Sequence, residues 1–245
     1  MRKVMLWLNG WGMPDCSWDE VRSQFPSYQH IIPTYSDVTD SSQFYERVVE
    51  EVRPLAAQEL IVVGWSMGGM LGIRLAAQYP VSGLVLIGTT ARFTCERHDL
   101  RAGWHPVVLQ RMKRQLSVAR ERVMDAFVEQ MLTPGEREQT GLHVKLDSQK
   151  WSTAALIAGL TYLEEEDCRP FLSSVTTPTL VIRGTEDAIC SLTAGEELAG
   201  SLSGANFVQI PDCGHAPHVF IPEVVGDSLK RMVEQLAEEG NQQPI

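Results

Sequence analysis

The sequence has few cysteines, no long apolar run and a deficit of positive charge. Its five cysteines include no Cys-x-x-Cys pair, so we expect neither a zinc site nor a disulfide framework. No stretch reaches the about 18 apolar residues of a membrane span. The formal net charge of −10 disfavours binding to nucleic acid or to an anionic membrane. These absences predict a cytoplasmic protein, and we expect a monomer without metal or cofactor.

Short β-rich runs alternate with longer segments of helical period along most of the 245 residues. Strands are predicted at 4–8, 30–32, 60–64, 83–87, 179–183 and 206–210. Helices are predicted at 18–25, 41–57, 67–79, 193–201 and 222–236. Strand and helix in alternation are typical of an α/β fold with a mostly parallel sheet, here of about six strands.

The alternation stops between residues 91 and 172, where helical patterns occur without a convincing strand. We predict a helical insertion there, with residues 1–90 and 173–245 forming the core domain. Val123, Phe127 and Met131 recur at the spacing of one helix face, and burial against the core is the favoured explanation of that stripe. An insertion at the carboxyl ends of the strands would lie over the usual ligand position of such folds. The insertion is therefore a candidate lid.

A glycine-framed segment follows the third predicted strand. Residues 64–68 are Gly-Trp-Ser-Met-Gly, which puts Ser66 in a G-x-S-x-G pattern between a strand and a helix. This pattern is typical of a nucleophile elbow, a tight turn that lifts a serine hydroxyl out of the sheet. Ser66 is the candidate nucleophile, and an ordinary glycine-rich turn is the alternative.

Acidic and imidazole side chains follow the last two predicted strands. A serine hydroxyl needs a base within hydrogen-bond reach, and that base needs a carboxylate to orient it. Asp187 follows the fifth strand and is the candidate acid, with Glu186 as its rival. His215 follows the sixth strand and is the candidate base, with His218 as its rival.

Two turns contain candidate donors for a developing oxyanion. One is the backbone N–H of Met67, at the start of the helix after Ser66. The other is the N–H of Trp11, in the turn after the first strand. The Gly-Trp-Gly of that turn is only half of a dinucleotide fingerprint, because Asp15 occupies the third glycine position. No nicotinamide site is expected.

Four motifs in order resemble the α/β-hydrolase superfamily over nearly the full chain. They are Gly-Trp-Gly at 10–12, Gly-Trp-Ser-Met-Gly-Gly at 64–69, Gly-x-x-Asp at 184–187 and Gly-His-Ala-Pro at 214–217. Within it, the chain is most similar to the carboxylesterases of biotin synthesis that cleave pimeloyl-acyl-carrier-protein methyl ester. The resemblance implies an α/β-hydrolase fold that lacks the first strands of the common eight.

The same resemblance implies an activity and a set of site residues. The activity would be hydrolysis of the methyl ester of pimeloyl-acyl-carrier protein, with release of methanol. Ser66, Asp187 and His215 would form the triad, and Trp11 and Met67 would contact the oxyanion and the substrate. Phe127 would line the acyl channel. General carboxylesterase, thioesterase and C–C hydrolase activity, or binding without catalysis, are the alternatives.

The chain departs from that family near the first turn. Asn9 stands where the family usually has histidine, and Ile-Pro-Thr-Tyr-Ser at 32–36 replaces a glycine-containing loop. An asparagine can still hydrogen-bond within the turn, so the oxyanion geometry can survive.

The segment from Arg92 to Arg122 is basic in an acidic chain. It contains eight Lys and Arg against three Asp and Glu, whereas the other residues contain 13 against 28. Complementary charge steers association, so an acidic carrier protein is one candidate partner of this segment. A solvated helix surface is the alternative. The candidate contacts are Arg111, Arg114, Arg120 and Arg122.

Overall fold

The structure is a computed structural model that describes residues 3–55, 58–95, 103–139 and 151–242. Its sheet has six parallel strands in the order β2-β1-β3-β4-β5-β6. The strands are β1 (Lys3–Leu8), β2 (Gln29–Ile31), β3 (Glu59–Trp65), β4 (Gly83–Ile87), β5 (Thr179–Gly184) and β6 (Asn206–Ile210). Each lies within one residue of its predicted bounds, so the predicted parallel sheet is confirmed.

Nine helices accompany the sheet in the described ranges. They are α1 (Asp19–Arg22), α2 (Ser42–Val52), α3 (Met67–Ala76), α4 (Pro106–Met131), α5 (Pro134–Arg137), α6 (Thr153–Glu165), α7 (Leu192–Ser201), α8 (Pro217–Phe220) and α9 (Pro222–Gln242). Three predicted helices are too long, including the one at 67–79, which ends at Ala76, whereas the one at 222–236 is too short, because α9 continues to Gln242. The prediction at 18–25 contains only the one-turn α1, and α2 gives way at Arg53 to a 3₁₀ turn. Pro54 lacks the N–H that would continue α2.

The central strands are buried on both faces. Every residue of β4, and β1 from Val4 to Leu8, is buried. Parallel strands covered by helices on both sides have this uninterrupted apolar character, which explains why alternation was weak in the sequence. No helix of the described residues is both long and apolar enough to cross a bilayer.

In the described residues between β4 and β5 there are three α-helices, α4 to α6. Ala119 has non-helical backbone angles (φ −150°, ψ 51°) and divides α4 into two arms. Val123, Phe127 and Met131 are buried, in agreement with the favoured explanation of their stripe. Trp151, just before α6, donates from Nε1 to the carbonyl of Met13 at 3.2 Å, so this region packs over the turn after β1. The division of the chain into core and lid stays a prediction.

Candidate active site

The candidate residues lie at one edge of the sheet. Ser66 follows β3, Asp187 follows β5 and His215 follows β6, while Trp11 follows β1. Because all six strands are parallel, their carboxyl ends meet at the same edge. The sheet thereby gathers residues that are far apart in the sequence.

Ser66 occupies a strained turn. Its backbone angles are φ 55° and ψ −117°, in a region that residues with a side chain rarely adopt. The Ser66 N–H donates to the carbonyl of Ile87 at 2.8 Å, which ties the turn to the end of β4. A Cβ at Gly64 would overlap the backbone of Gly68, and one at Gly68 would overlap the carbonyl of Leu8. The glycines of the motif are therefore required by close backbone packing.

Asp187 and His215 form a direct, buried hydrogen bond. His215 Nδ1 lies 2.8 Å from Asp187 Oδ2, and both side chains are almost fully buried. The other carboxylate oxygen, Oδ1, accepts the backbone N–H groups of Ile189 and Cys190, each at 2.9 Å. Since Oδ2 is an acceptor, Nδ1 carries the imidazole proton and Nε2 is left as the basic nitrogen.

The imidazole of His215 lies beside the serine turn. A Cβ at Gly88 would come 3.0 Å from His215 Nδ1, and Gly88 directly follows the residue that binds the Ser66 N–H. Within the described part of the chain, buried His215 Nε2 has no hydrogen-bond partner, so Ser66 Oγ is not bonded to it. Catalytic hydrogen bonds of this kind are often long in free enzymes and tighten when substrate binds.

The geometry separates the candidate acid and base from their rivals. Glu186 is exposed, whereas Asp187 points inward to the imidazole. His218 is buried between Trp18 and Trp65, with ring centroids 4.4 Å from each. Burial, together with the nearby charge of His215, lowers the pKa of His218 to about 3. A neutral imidazole packed between indoles is poorly suited to proton transfer, so His215 is favoured as the base.

Arg183 is a feature that the sequence interpretation missed. Its guanidinium is fully buried, and Nη1 donates to Asp187 Oδ2 at 3.3 Å, so the acid lies between a cation and the imidazole. Arg183 also donates to the carbonyls of Thr89 and Cys190. An arginine in the otherwise apolar strand Thr-Leu-Val-Ile-Arg-Gly was the available signal, because buried charges are almost always paired.

The proposed oxyanion donors lie in the turn after β1 and at the first residue of α3. Among the described residues, neither the Trp11 nor the Met67 backbone N–H donates to a protein acceptor. The indole Nε1 of Trp11 donates to the carbonyl of Leu156 at 2.8 Å, which fixes this turn against α6. Asn9 accepts from Trp18 Nε1 at 2.6 Å and donates to Asp15 at 2.7 Å. The Asn9 side chain therefore links the end of β1 to Asp15 and Trp18 and stabilises the turn.

A groove of about 610 Å³ follows the bend of α4. Its lining includes Trp104, Met112, Val123 and Phe127 with Arg111 and Arg122. Phe127 also makes an edge contact with Trp11, at a centroid distance of 4.8 Å, so one lining residue of the groove contacts the turn after β1.

The four candidate arginines differ in their positions. Arg111 and Arg122 are exposed and line the groove, and Arg114 is exposed outside that lining. Arg120 is half-buried and donates to the carbonyl of Trp151 at 2.7 Å. No group of three or more potential metal ligands occurs among the described residues.

Comparisons with known proteins agree with this architecture. Residues 5–225 match the alpha/beta hydrolase family. The pimeloyl-acyl-carrier-protein methyl ester esterase of Nitrosomonas europaea is 30% identical over 230 residues, covering 89% of this chain and 91% of the relative. The enzyme of the same name from Yersinia enterocolitica is 29% identical, covering 96% and 93%.

Solved structures share the fold at lower identity. An esterase from Exiguobacterium antarcticum has a TM-score of 0.84 at 18% identity, covering 95% of this chain and 92% of that one. The enol-lactonase of Burkholderia xenovorans has a TM-score of 0.82 at 17% identity, covering 96% and 92%. The chain belongs to the alpha/beta hydrolase family, and within it to the type of the pimeloyl-acyl-carrier-protein methyl ester esterases.

Proposed function

We propose that this chain, a hydrolase of carboxylic esters, cleaves its substrate by acyl transfer to Ser66. One observation carries the proposal: His215 Nδ1 is 2.8 Å from the buried Asp187 carboxylate, with the ring beside the strained turn of Ser66. An imidazole held in this way has Nε2 directed to accept a proton. Ser66 is then the nucleophile, His215 the general base and Asp187 the orienting acid.

The reaction proceeds in two acyl-transfer steps. Ser66 Oγ attacks the ester carbonyl while His215 Nε2 takes the hydroxyl proton. The backbone N–H groups of Trp11 and Met67 donate to the oxyanion that forms. The imidazolium returns its proton to the leaving alkoxide, so the alcohol departs and the acyl-enzyme remains. A water molecule, deprotonated by His215, then releases the acid and restores Ser66.

The methyl ester of pimeloyl-acyl-carrier protein is the proposed substrate. Relatives about 30% identical over most of the chain are named for that activity. The α4 groove favours a substrate with an extended acyl chain, because Phe127 lines the groove and also contacts Trp11. The exposed Arg111 and Arg122 on the same groove suit an acidic carrier protein.

We also propose that residues 91–172 form a helical lid and that the protein acts as a cytoplasmic monomer.

The mechanism is tested by replacing the nucleophile. Ser66→Ala should fold with an unchanged melting temperature and lose ester hydrolysis by about 10⁴-fold or more. A serine-directed fluorophosphonate should label the parent protein and not this variant. Ser228→Ala, at a buried serine of α9, is the matched control and should keep both ester hydrolysis and fluorophosphonate labelling. Retained turnover in Ser66→Ala would exclude the mechanism.

The substrate is tested separately from the mechanism. The kcat/KM for carrier-linked pimeloyl methyl ester should exceed that for p-nitrophenyl esters of any chain length. The gene should also restore growth of a biotin-requiring strain that lacks its methyl esterase. Equal or better turnover of free esters, thioesters or C–C substrates, with no complementation, would favour the alternative hydrolase activities.

A further inference from the structure

The loop that carries His215 is held by the end of α4 and by α5. The backbone N–H of His215 donates to the carbonyl of Met131, the last residue of α4, at 2.8 Å. A Cβ at Gly214 would overlap that same carbonyl and would come 2.7 Å from Glu136 Oε2. The loop and the α4–α5 junction are therefore in close backbone contact.

Glu136 is a buried carboxylate whose two oxygens bind different segments, the start of α5 and the loop of His215. Its Oε2 accepts the N–H of Thr133 at 2.8 Å, while the Thr133 hydroxyl accepts the N–H of Glu136 at 3.2 Å. This reciprocal pair is a capping box that begins α5. A capping box uses one carboxylate oxygen, so Oε1 remains available for another segment.

The second oxygen binds the base loop. Glu136 Oε1 accepts the N–H of Gly214 at 3.1 Å and the thiol of Cys213 at 3.3 Å. Burial raises the pKa of the Cys213 thiol, and the neighbouring Glu136 raises it further, so the thiol stays protonated as a donor. Two consecutive backbone N–H groups, of Gly214 and His215, are thus fixed by residues of the α4–α5 junction.

We infer that Glu136 is a positioning residue for His215, holding the base loop so that the imidazole faces Ser66. The inference rests on the proposed function, in which His215 is the base. On the sheet side the loop is held through its carbonyls, because the Glu186 N–H donates to the carbonyl of Cys213 at 2.9 Å and Gly184 packs against the carbonyls of Cys213 and Gly214. The N–H groups of Gly214 and His215 are bound instead by the α4–α5 junction. The Trp65 indole fixes the carbonyl of His215 at 2.8 Å, and Glu136 and Met131 fix the N–H side.

Glu136→Gln separates positioning from helix capping. Glutamine is also accepted in a capping box, so its amide oxygen can keep the bond to the Thr133 N–H. Its NH₂ group then faces the Gly214 N–H and cannot accept from it. With a short p-nitrophenyl ester, kcat should fall about 10-fold, because small misplacements of a base are costly, while KM stays within about twofold. The rate of fluorophosphonate labelling should fall in parallel.

Thr133→Ala is the matched control, because it weakens the cap of α5 and leaves both Glu136 oxygens in place. It should lower the melting temperature and keep the parent kcat. Gly214→Ala disturbs the same contact from the loop side and should reproduce the loss of kcat, including if Glu136→Gln does not fold.

The outcomes distinguish this inference from the proposed function. Parent-like kcat in Glu136→Gln, or in Gly214→Ala, would overturn the positioning role alone. A loss of kcat in Thr133→Ala as large as that in Glu136→Gln would also overturn it, because general loosening of α5 would then suffice. Turnover that persists in Ser66→Ala would overturn the proposed function, and the inference with it.

Discussion

At the scale of single residues, Arg183 forms a buried ion pair with the candidate acid Asp187. Its guanidinium donates to Asp187 Oδ2 and is completely buried, so the carboxylate and guanidinium compensate each other away from water. We expect Arg183→Met to reduce the free energy of unfolding by about 3–5 kcal/mol, since it leaves a buried carboxylate with one cation fewer and two carbonyls unpaired. Urea unfolding at neutral pH measures the change.

Arg74→Met is the control for Arg183. Arg74 also pairs with a carboxylate, Glu166 at 3.1 Å, but a third of its side chain is exposed. A pair of that kind contributes about 1 kcal/mol or less. Equal losses in the two variants would contradict the special role of burial at Arg183.

His218 gives the folded protein a sensitivity to acid. Burial, and then the charge of His215, lowers the pKa of His218 to about 3, whereas in the unfolded chain the value is near 6.5. Between these values the unfolded chain binds a proton that the folded chain does not, so stability is complete above pH 6.5 and decreases as the pH falls. At about pH 5 the loss from this residue is about 2 kcal/mol.

His218→Phe should remove that part of the pH dependence, because phenylalanine keeps a ring between the two indoles and does not titrate. Urea unfolding of both proteins at about pH 7.5 and about pH 5 measures the difference. Tyr35→Phe, at a buried tyrosine whose phenol does not ionise between these two pH values, is the control and should retain the parent pH dependence. The prediction is wrong if His218→Phe loses as much stability at low pH as the parent.

Local motifs in the sequence identify the candidate triad, whereas only tertiary contacts identify Glu136 as a neighbour of the base loop. Ser66, Asp187 and His215 each follow a strand, so the parallel sheet brings them to one edge. Glu136 is recognisable as a capping residue, but its second partner, Gly214, is 78 residues away. No local pattern encodes such a contact.

At the scale of elements, the turn after β1 is confined by α4 and α6. Gly12 has φ +69°, and a Cβ there would come 2.8 Å from the Met124 side chain and 3.0 Å from Leu156. Gly204 has the same φ, with nothing within 4 Å of its Cβ position. The two glycines therefore have equal backbone strain and different surroundings.

Gly12→Ala should lower kcat and destabilise the protein by more than Gly204→Ala. Each variant incurs about 1–2 kcal/mol of left-handed backbone strain, and only Gly12→Ala also displaces a turn that contains a proposed oxyanion donor. Thermal unfolding and ester hydrolysis of both variants measure the two effects. Equal stability with parent-like kcat in both would show that crowding of this turn is unimportant.

The strands were predicted well, because helices packed on both faces of the sheet require an apolar residue at nearly every strand position. The buried strands are continuous apolar runs, so their positions followed from the sequence. Helix ends were less certain, and the bend at Ala119 was not predicted, because nothing in Ser-Val-Ala-Arg at 117–120 disfavours a helix. The bend, and with it the groove along α4, is therefore seen only in the structure.

At the scale of the whole molecule, charge is distributed unevenly. The chain has a net charge of −10, yet residues 92–122 have five more basic than acidic residues. Arg111 and Arg122 expose part of that charge on the α4 groove. An acidic partner would be repelled by most of the surface and attracted to this face, which favours one orientation of approach.

This asymmetry predicts a salt dependence that differs between substrates. Raising sodium chloride from about 20 mM to about 300 mM shortens the screening length severalfold and should reduce kcat/KM for the carrier-linked ester by about 10-fold. A neutral p-nitrophenyl ester should change less than about twofold, because it needs no steering. The double variant Arg111→Glu with Arg122→Glu should remove the salt dependence. The control is the double variant Arg47→Glu with Arg53→Glu, which changes the same charge at α2 and the turn after it and should retain the salt dependence. Equal salt dependence in both double variants would mean that the overall charge of the chain, rather than the α4 face, governs the encounter.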